Sequence, residues 1–258
     1  MREPLPEGFD PHGPLSQFAL SVLDSLRRRH CHSVVGLENL PTEGPCLLVV
    51  NHSLATYDIL MLSQTIYERL GRIPRGLGDK RLFQVPGLRQ VVAYFGGVRA
   101  SHDAADRLLG EGLIVLVAPG GMMEALRPSE KRYQVSWEDR KGFIRVALRT
   151  GAPIVLAACP KADDLYDVRE NDLTRRIYER FHLPIPFLSG EGGGLLPRAV
   201  RLTHTLSEPI RPPPLAERDD IEPYVDPLHL RVVDRMNSLM TEALAAEEAR
   251  EHAEAGLA

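Results

Sequence analysis

A histidine and an aspartate stand close together in the stretch LLVVNHSLATYD, with five residues between them. His52 follows a run of branched apolar residues that predicts a buried strand, and Asp58 precedes the next apolar run. Ligand sites of open α/β sheets lie at the carboxyl ends of strands, where His52 is expected. An aspartate bonded to the Nδ1–H of a histidine fixes its tautomer and leaves Nε2 free as a base. The pair therefore predicts a general base at the edge of a sheet.

The same two residues also have a purely structural interpretation. Asp58 can be an acid in the first turn of a helix, and His52 a histidine satisfied at a strand end. Residues six apart do not share a helix face, so the pair meets only if the SLATY segment is a non-helical turn. If it meets, we expect a hydrogen bond of roughly 2.6–3.2 Å between a carboxylate oxygen and Nδ1.

Buried strands alternate with helices along most of the chain. This alternation predicts an α/β fold with a mixed, mostly parallel sheet flanked by helices on both faces. We expect a disordered arm at residues 1–13 and a single domain at 14–258. That domain begins with an amphipathic helix at 14–30 and ends with a helix at 226–250, and residues 160–196 form a surface insertion.

The predicted N-terminal helix has an apolar face and a run of arginines at its end. One interpretation is a packing helix whose C-terminal cations complement the helix dipole. The other is a helix that lies on a lipid surface with its basic end near anionic headgroups. The apolar positions at helical spacing are Leu15, Phe18, Ala19, Val22, Leu23 and Leu26.

The composition is that of a globular protein. The chain has 258 residues, of which 43% are hydrophobic, and its net charge of -4 gives no case for nucleic-acid binding. Three cysteines without CxxC spacing predict reduced, buried thiols. The sequence contains no run of about 18 apolar residues, so no membrane span is predicted. The polar, proline-rich N-terminal segment is not typical of a secretory signal. We therefore expect a cytoplasmic protein without a bound metal.

Four blocks of sequence, in order, resemble those of the glycerolipid acyltransferases, the family of lysophosphatidate acyltransferase. VVNHSLATYD resembles the first block, and FGGVRAS at 95–101 resembles the second. LIVLVAPGGMMEAL at 113–126 resembles the third, and TGAPIVLAACP at 150–160 resembles the fourth. Each block alone is weakly specific, but the ordered set is strong and covers residues 34–160.

The resemblance implies an O-acyltransferase of lipid metabolism and phospholipid biosynthesis. It would move a fatty acyl group from acyl-CoA or acyl carrier protein to a hydroxyl of a lysophospholipid, glycerolipid or lipid alcohol. His52 would deprotonate that hydroxyl and Asp58 would orient the imidazole, with no metal and no other cofactor. The implied partners are the acyl thioester donor, the lipid acceptor and a membrane surface, so peripheral association with the inner face of the membrane is expected.

The third block and its neighbours supply the remaining candidates. Backbone N–H groups of Gly120 and Gly121 are expected near the reacting oxygen, although two glycines can also simply form a tight turn. Glu124 is expected to hold an acceptor hydroxyl, the alternative being a surface acid. Arg99 and Arg127 could bind a phosphate. The full set of expected substrate-binding residues is Asn51, Ser53, Arg99, Ser101, Gly120, Gly121, Glu124 and Arg127.

The chain departs from the family pattern in two places. The family separates its histidine and aspartate by four residues rather than five, and its third block usually reads Glu-Gly-Thr-Arg rather than GGMME. These features resemble the branch of phytyl ester synthase and some diacylglycerol acyltransferases, in which the acceptor is often a neutral lipid alcohol. Two alternatives are a lipid ester hydrolase, which would want a Gly-x-Ser-x-Gly elbow absent here, and a non-catalytic lipid-binding protein with a degenerate acyltransferase fold.

Overall fold

The computed structural model describes residues 6, 9–54, 56–85, 87–135, 137–169, 187–216 and 219–256. These residues form α-helices and strands that alternate along most of the chain, as the sequence predicts. The helices are α1 (Pro14–Arg29), α2 (Tyr57–Leu70), α3 (Leu88–Tyr94), α4 (His102–Gly110), α5 (Gly121–Ala125), α6 (Gly142–Thr150) and α7 (Glu222–Ala255). The strands are β1 (Ser33–Val35), β2 (Cys46–Val50), β3 (Arg75–Gly78), β4 (Val98–Arg99), β5 (Ile114–Val117), β6 (Ile154–Ala158), β7 (Asp167–Arg169), β8 (Phe187–Ser189) and β9 (Thr203–Leu206).

Seven strands form one sheet in the order β1-β9-β6-β2-β5-β3-β4. The β6–β9 pair is antiparallel, and the other pairs of this sheet are parallel. Leu47 of β2 pairs with Val115 of β5 on one side and with Ile154 of β6 on the other. The predicted mixed, mostly parallel sheet is confirmed, and β2 runs through its middle with its carboxyl end beside those of β5 and β6.

The central strand is apolar at every position because helices cover both faces of the sheet. Alternate residues of a strand point to opposite faces. Leu47 and Val49 belong to a core cluster that includes residues of α4, α6 and α7. Leu48 and Val50 belong to a second cluster with residues of α2. Each face therefore buries part of the same strand, which fixes the register of β2 and the place where it ends.

Helix α1 packs on the domain and also keeps an exposed apolar side. Leu23 and Leu26 pack against a core cluster next to α2. His30, which follows the helix, is buried and bonded to the Tyr57 hydroxyl at 2.9 Å and the Val200 carbonyl at 2.8 Å. The exposed apolar side, hereafter the α1 stripe, consists of Leu15 (45% exposed), Phe18 (68%) and Val22 (43%). The packing interpretation thus holds for one side of α1, and the other side is available to a partner.

Helix α7 is longer than the predicted 226–250 segment. Its Ala- and Glu-rich end stays helical because it is tied to the domain. Glu247 is buried, and Glu254 forms an ion pair with Arg201 at 2.9 Å. None of the helices that the structure describes is long and apolar enough to cross a bilayer.

Part of the predicted arm contacts α3. The ring of Phe9 packs against those of Tyr94 and Phe95, with centroids 5.3 and 6.1 Å apart. Residues 1–5 and 7–8 of the arm lie outside the described residues. So do residues 170–186 of the predicted insertion, whose described flanks pair as the antiparallel strands β7 and β8.

The three cysteines are free thiols. Cys46 and Cys159 are buried in the core, as the sequence predicts. The prediction of burial is wrong for Cys31, which is exposed. It directly follows the C-terminal cap of α1, where the chain turns with a φ of 42° toward β1.

Candidate functional site

His52 lies just beyond the carboxyl end of β2 and is partly buried. Its Nδ1 is 2.8 Å from the carbonyl oxygen of Ser53. A carbonyl can only accept, so Nδ1 carries the proton and Nε2 carries the lone pair. Burial lowers the pKa of His52 below the usual 6.5; the bond to Ser53 opposes this shift, and the nearby Arg127 adds to it. The ring is therefore neutral at neutral pH, with a basic Nε2.

Asp58 lies in the first turn of α2 and is fully buried. Its Oδ1 accepts a hydrogen bond of 2.8 Å from the Ser53 hydroxyl. Burial raises the pKa of Asp58 to about 6, and the bond from Ser53 opposes the shift. The prediction of a direct hydrogen bond between Asp58 and Nδ1 of His52 is wrong. Nδ1 is bonded to the Ser53 carbonyl instead, so Ser53 joins the imidazole to the carboxylate through its own two oxygens.

The described residues between His52 and the start of α2 are not helical. The N–H of Thr56 points to the Ser53 hydroxyl at 3.4 Å, and the Thr56 hydroxyl points to the Ser53 carbonyl at 3.4 Å. Thr56 has a φ of 58°, a left-handed conformation that a β-branched residue rarely adopts, and α2 begins at the next residue. This turn points the first-turn carboxylate of α2 back toward the end of β2.

Glu124 is buried behind His52 and is fully engaged by the protein. It accepts from the indole N–H of Trp137 at 3.1 Å, from Arg127 at 3.3 Å, and from the backbone N–H of His52. Burial raises its pKa to about 7, opposed by Arg127 and by the bond from Trp137. The expected contact with an acceptor hydroxyl stays a prediction. In this structure the carboxylate holds the main chain of His52.

Gly120 is required by the path of the Glu124 side chain. A Cβ at position 120 would lie 2.0 Å from Oε2 of Glu124 and 2.4 Å from its Cβ, far inside any real contact. Gly121 has a φ of 51°, which favours glycine. Its N–H donates to the Ala118 carbonyl at 3.1 Å, so this amide, one of the two expected near the reacting oxygen, closes a turn instead.

Arg127 is held in an ion-pair network. Its Nη2 is 2.5 Å from Oδ2 of Asp163, and its Nη1 bonds to Glu124 and to the carbonyl of Gln134. Asp163 also accepts the backbone N–H of Tyr133 at 2.8 Å. Two carboxylates therefore pair with Arg127, and the expected binding of a phosphate by this residue stays a prediction.

The remaining predicted residues have structural roles or lie away from His52. Asn51 is buried, and its side-chain amide bonds the backbone N–H and carbonyl of Cys159 at 2.8 and 3.3 Å, tying the ends of β2 and β6 together. Ser101 caps α4 by accepting from the Ala104 N–H at 3.1 Å. Arg99 is exposed on β4, three strands from β2 and thus roughly 14 Å across the sheet. The structure brings together His52, Ser53, Asp58, Glu124 and Arg127, but not Arg99 or Ser101.

The sequence did not predict the roles of three residues near His52. Trp137 looks like a core aromatic and is one, but its N–H also binds Glu124. Asp163 lies in a segment without clear periodicity, and His204 stands between two threonines in the last strand of the sheet. Asp58, Cys159 and His204 place three potential metal ligands within 4.8 Å of one another. Burial raises the pKa of Cys159 well above its usual value, however, and a protonated thiol is a poor ligand.

The fold and this geometry define an α/β protein with a candidate general base at the carboxyl edge of the central strand. The family model described as Acyltransferase matches residues 31–159, which is half of the chain. The chain belongs to the acyltransferase family.

Two relatives and one solved structure illustrate the similarity. A Bos taurus protein described as "DGAT1/2-independent enzyme synthesizing storage lipids" is 29% identical over 222 residues, covering 83% of this chain and 64% of the relative. An uncharacterized protein of Mycobacterium tuberculosis is 31% identical over 229 residues, covering 84% of this chain and 63% of the relative. This chain thus spans less than two thirds of the length of either protein. The crystal structure of 1-acyl-sn-glycerophosphate (LPA) acyltransferase, PlsC, from Thermotoga maritima matches with a TM-score of 0.49 and 20% identity, covering 85% of this chain and 80% of that chain.

The dependence of Glu124 on Gly120 can be tested through the single tryptophan of the chain. Gly120→Ala should displace the Glu124 carboxylate and shift the indole N–H resonance of Trp137. Losing this buried charged hydrogen bond should also cost about 1.5–3 kcal/mol of stability. NMR spectra measure the shift of the indole resonance, and denaturant unfolding measures the loss of stability.

Gly110→Ala is the matched control, because a Cβ there meets nothing within 4 Å. An unchanged indole resonance in folded Gly120→Ala protein would show that Glu124 does not depend on this glycine.

Proposed function

We propose that this protein is an O-acyltransferase that moves a fatty acyl group from an acyl thioester to the hydroxyl of a lipid acceptor. Membership of the acyltransferase family supports the reaction class. The observation that carries the proposal is the fixed tautomer of His52. Its Nδ1 donates to a carbonyl, and Nε2 makes no hydrogen bond within the described part of the chain, so a basic nitrogen is available to substrate.

The chemistry needs one base and no covalent enzyme intermediate. Nε2 of His52 takes the proton of the acceptor hydroxyl as its oxygen attacks the thioester carbonyl. The tetrahedral intermediate then collapses, the carbon–sulfur bond breaks, and the imidazolium returns the proton to the leaving thiolate. Acyl-CoA and acyl carrier protein both fit the donor role, because each ends in the same thioester.

Asp58 acts on His52 through Ser53. When His52 gains a proton, its charge lies near a buried carboxylate bonded to the hydroxyl of the same serine whose carbonyl binds Nδ1. The low-polarity surroundings strengthen this attraction. Asp58 therefore stabilises the charged imidazole, while the Ser53 carbonyl sets the tautomer. The extra residue between His52 and Asp58 leaves both functions possible, which speaks against a degenerate site.

The acceptor is proposed to be an uncharged lipid alcohol or glycerolipid rather than a phosphate-bearing lipid. Arg127 already pairs with Glu124 and Asp163, and Arg99 lies across the sheet. Met122 and Met123 of α5 are half exposed, at 52% and 54%, next to the helix residue that holds His52. Flexible apolar side chains suit an acyl or alkyl chain. The description of the bovine relative as an enzyme synthesizing storage lipids points the same way.

The α1 stripe is the proposed contact with a membrane at its inner, cytoplasmic face. Burying three exposed apolar side chains in an interface contributes several kcal/mol at about 25 cal/mol per Å². The basic end of α1 contributes less charge than its sequence suggests. Arg27 pairs with Glu68 at 2.9 Å and Arg29 pairs with Glu191, whereas Arg28 bonds to the Ser25 hydroxyl at 3.2 Å. Binding is therefore expected to be mainly apolar and only weakly dependent on salt.

The reaction is tested by substitution of the proposed base. His52→Ala should lower acyl transfer by about 100-fold or more, because general-base catalysis is lost. Asp58→Asn should cost about 10- to 100-fold, the value of a hydrogen bond to a charged group. The assay measures free CoA with a thiol reagent and new ester by mass spectrometry, using a panel of diacylglycerol, long-chain alcohol and lysophospholipid.

His252→Ala, on the exposed end of α7, is the control and should leave turnover unchanged. Folded His52→Ala protein with normal turnover would refute the mechanism. Release of CoA and fatty acid without ester would indicate a hydrolase, and no release with any acceptor would indicate a lipid-binding protein.

The pH dependence of the transfer rate follows from the two buried groups. Asp58 must be charged, and its pKa is raised to about 6, so it is neutralised as pH falls through that value. His52 must be neutral, and its lowered pKa keeps it so until the pH is below 6.5. Both effects reduce the rate on the acid side, so kcat/KM should fall as pH drops through about 6. A rate that is flat from about pH 7 to about pH 5 would contradict this assignment.

Membrane contact is tested by changing one exposed residue of the α1 stripe. Phe18→Ser should reduce flotation with liposomes about tenfold, because a buried Phe side chain is worth about 1.5–3 kcal/mol. Deleting the helix would be uninformative, since its other side packs into the core. Leu230→Ser on α7, where the leucine is 62% exposed, is the matched control. Equal loss of flotation in both variants would place the membrane contact elsewhere.

A further inference from the structure

The second oxygen of the Asp58 carboxylate is not explained by the catalytic arrangement. Oδ1 accepts from Ser53, but Oδ2 is buried and has no hydrogen-bond partner among the described residues. A buried carboxylate oxygen without a donor is costly. Two polar groups lie within 4.8 Å of this carboxylate, the thiol of Cys159 and the imidazole of His204. Because burial keeps the thiol protonated and a thiol is a weak donor, the imidazole is the stronger candidate.

His204 stands between Asp58 and a second histidine. It lies on β9, is 1% exposed, and places Nε2 at 3.8 Å from Oδ2 of Asp58. Its Nδ1 is 3.0 Å from Nε2 of His32, just before β1. Burial lowers the pKa of both rings, to about 4 for His32, so both are neutral. The contact with Asp58 is therefore one between a neutral ring and a carboxylate.

The hydrogen bond between His32 and His204 allows two pairs of tautomers, and the nearby Asp58 carboxylate favours one of them. If His204 carried its proton on Nδ1, the lone pair on Nε2 would face the Asp58 carboxylate, which is repulsive. If His32 donates from its Nε2, the proton of His204 lies on Nε2 and points to Asp58. Shortening the 3.8 Å contact by about 0.7 Å would then make an ordinary N–H···O hydrogen bond.

We propose that His204 and His32 are positioning residues for Asp58. His204 offers its Nε2–H to the carboxylate oxygen that Ser53 leaves unbonded, and His32 holds His204 in the tautomer that makes this possible. The pair therefore orients Asp58 through the carboxylate oxygen that Ser53 does not contact. An effect of His204 on acyl transfer rests on the proposed function, whereas the tautomers of His204 and His32 can be measured without it.

The first test reads the tautomers directly in the full chain without substrate. In 15N-histidine NMR spectra, His204 and His32 should both be protonated at Nε2 and unprotonated at Nδ1. Asp58→Asn should shift the Nε2–H resonance of His204 while leaving the ring neutral. A proton on Nδ1 of His204, or a resonance that ignores Asp58→Asn, would overturn the proposal.

The second test separates positioning from general structural support. His204→Leu should lower kcat about tenfold with little change in KM, because one hydrogen bond to a charged group is lost. His204→Gln should retain most of kcat, since its amide N–H lies near the position of Nε2. In the Asp58→Asn background, His204→Leu should cost nothing further. His229→Leu, a buried histidine on α7, is the control and should leave kcat unchanged.

Equal losses for His204→Leu and His204→Gln, or additive losses with Asp58→Asn, would overturn the positioning role. If the wild-type chain transfers no acyl group yet shows the expected tautomers and the response to Asp58→Asn, the contact stands and the proposed function fails.

Discussion

Three carboxylates lie buried around His52, and the cost of removing their charge from water organises the site. Burial raises the pKa of Asp58, of Glu124 and of Asp163. Hydrogen-bond donors supplied by the fold partly offset the cost of burying each carboxylate. Ser53 donates to Asp58, Trp137 and Arg127 donate to Glu124, and Arg127 also donates to Asp163. An isolated buried carboxylate would take up a proton instead. The positions of these donors therefore determine where the charge next to His52 can be.

The same requirement explains why the site draws on distant parts of the chain. Glu124 follows β5, Trp137 comes from the loop before α6, and Asp163 follows β6. Parallel strands bring these loops to one edge of the sheet, where Asn51 also ties β2 to β6 through Cys159. Only this convergence lets one guanidinium, that of Arg127, serve two carboxylates.

The sequence predicted what depends on local pattern. A buried strand before His52 follows from an apolar run, and the mostly parallel sheet follows from the alternation of strands and helices. The role of Ser53 could not be predicted in this way. Its carbonyl accepts from His52 and its hydroxyl donates to Asp58, and Thr56 nearby has a left-handed conformation that its residue type does not favour. The partners of Arg127 were likewise unpredictable, since an arginine paired with buried acids and one free for phosphate have the same local sequence.

Helix α1 is connected to the helix that carries Asp58 by hydrogen bonds as well as by packing, and one of these bonds lies next to Asp58. Nδ1 of His30 donates to the Val200 carbonyl, so its Nε2 accepts from the Tyr57 hydroxyl. Tyr57 directly precedes Asp58 at the start of α2. The apolar side of Leu23 and Leu26 and this bond both hold α1 against the helix that carries Asp58. The exposed stripe on the far side of α1 is thus fixed relative to the base at the end of β2, and a surface that binds the stripe meets the domain in one orientation.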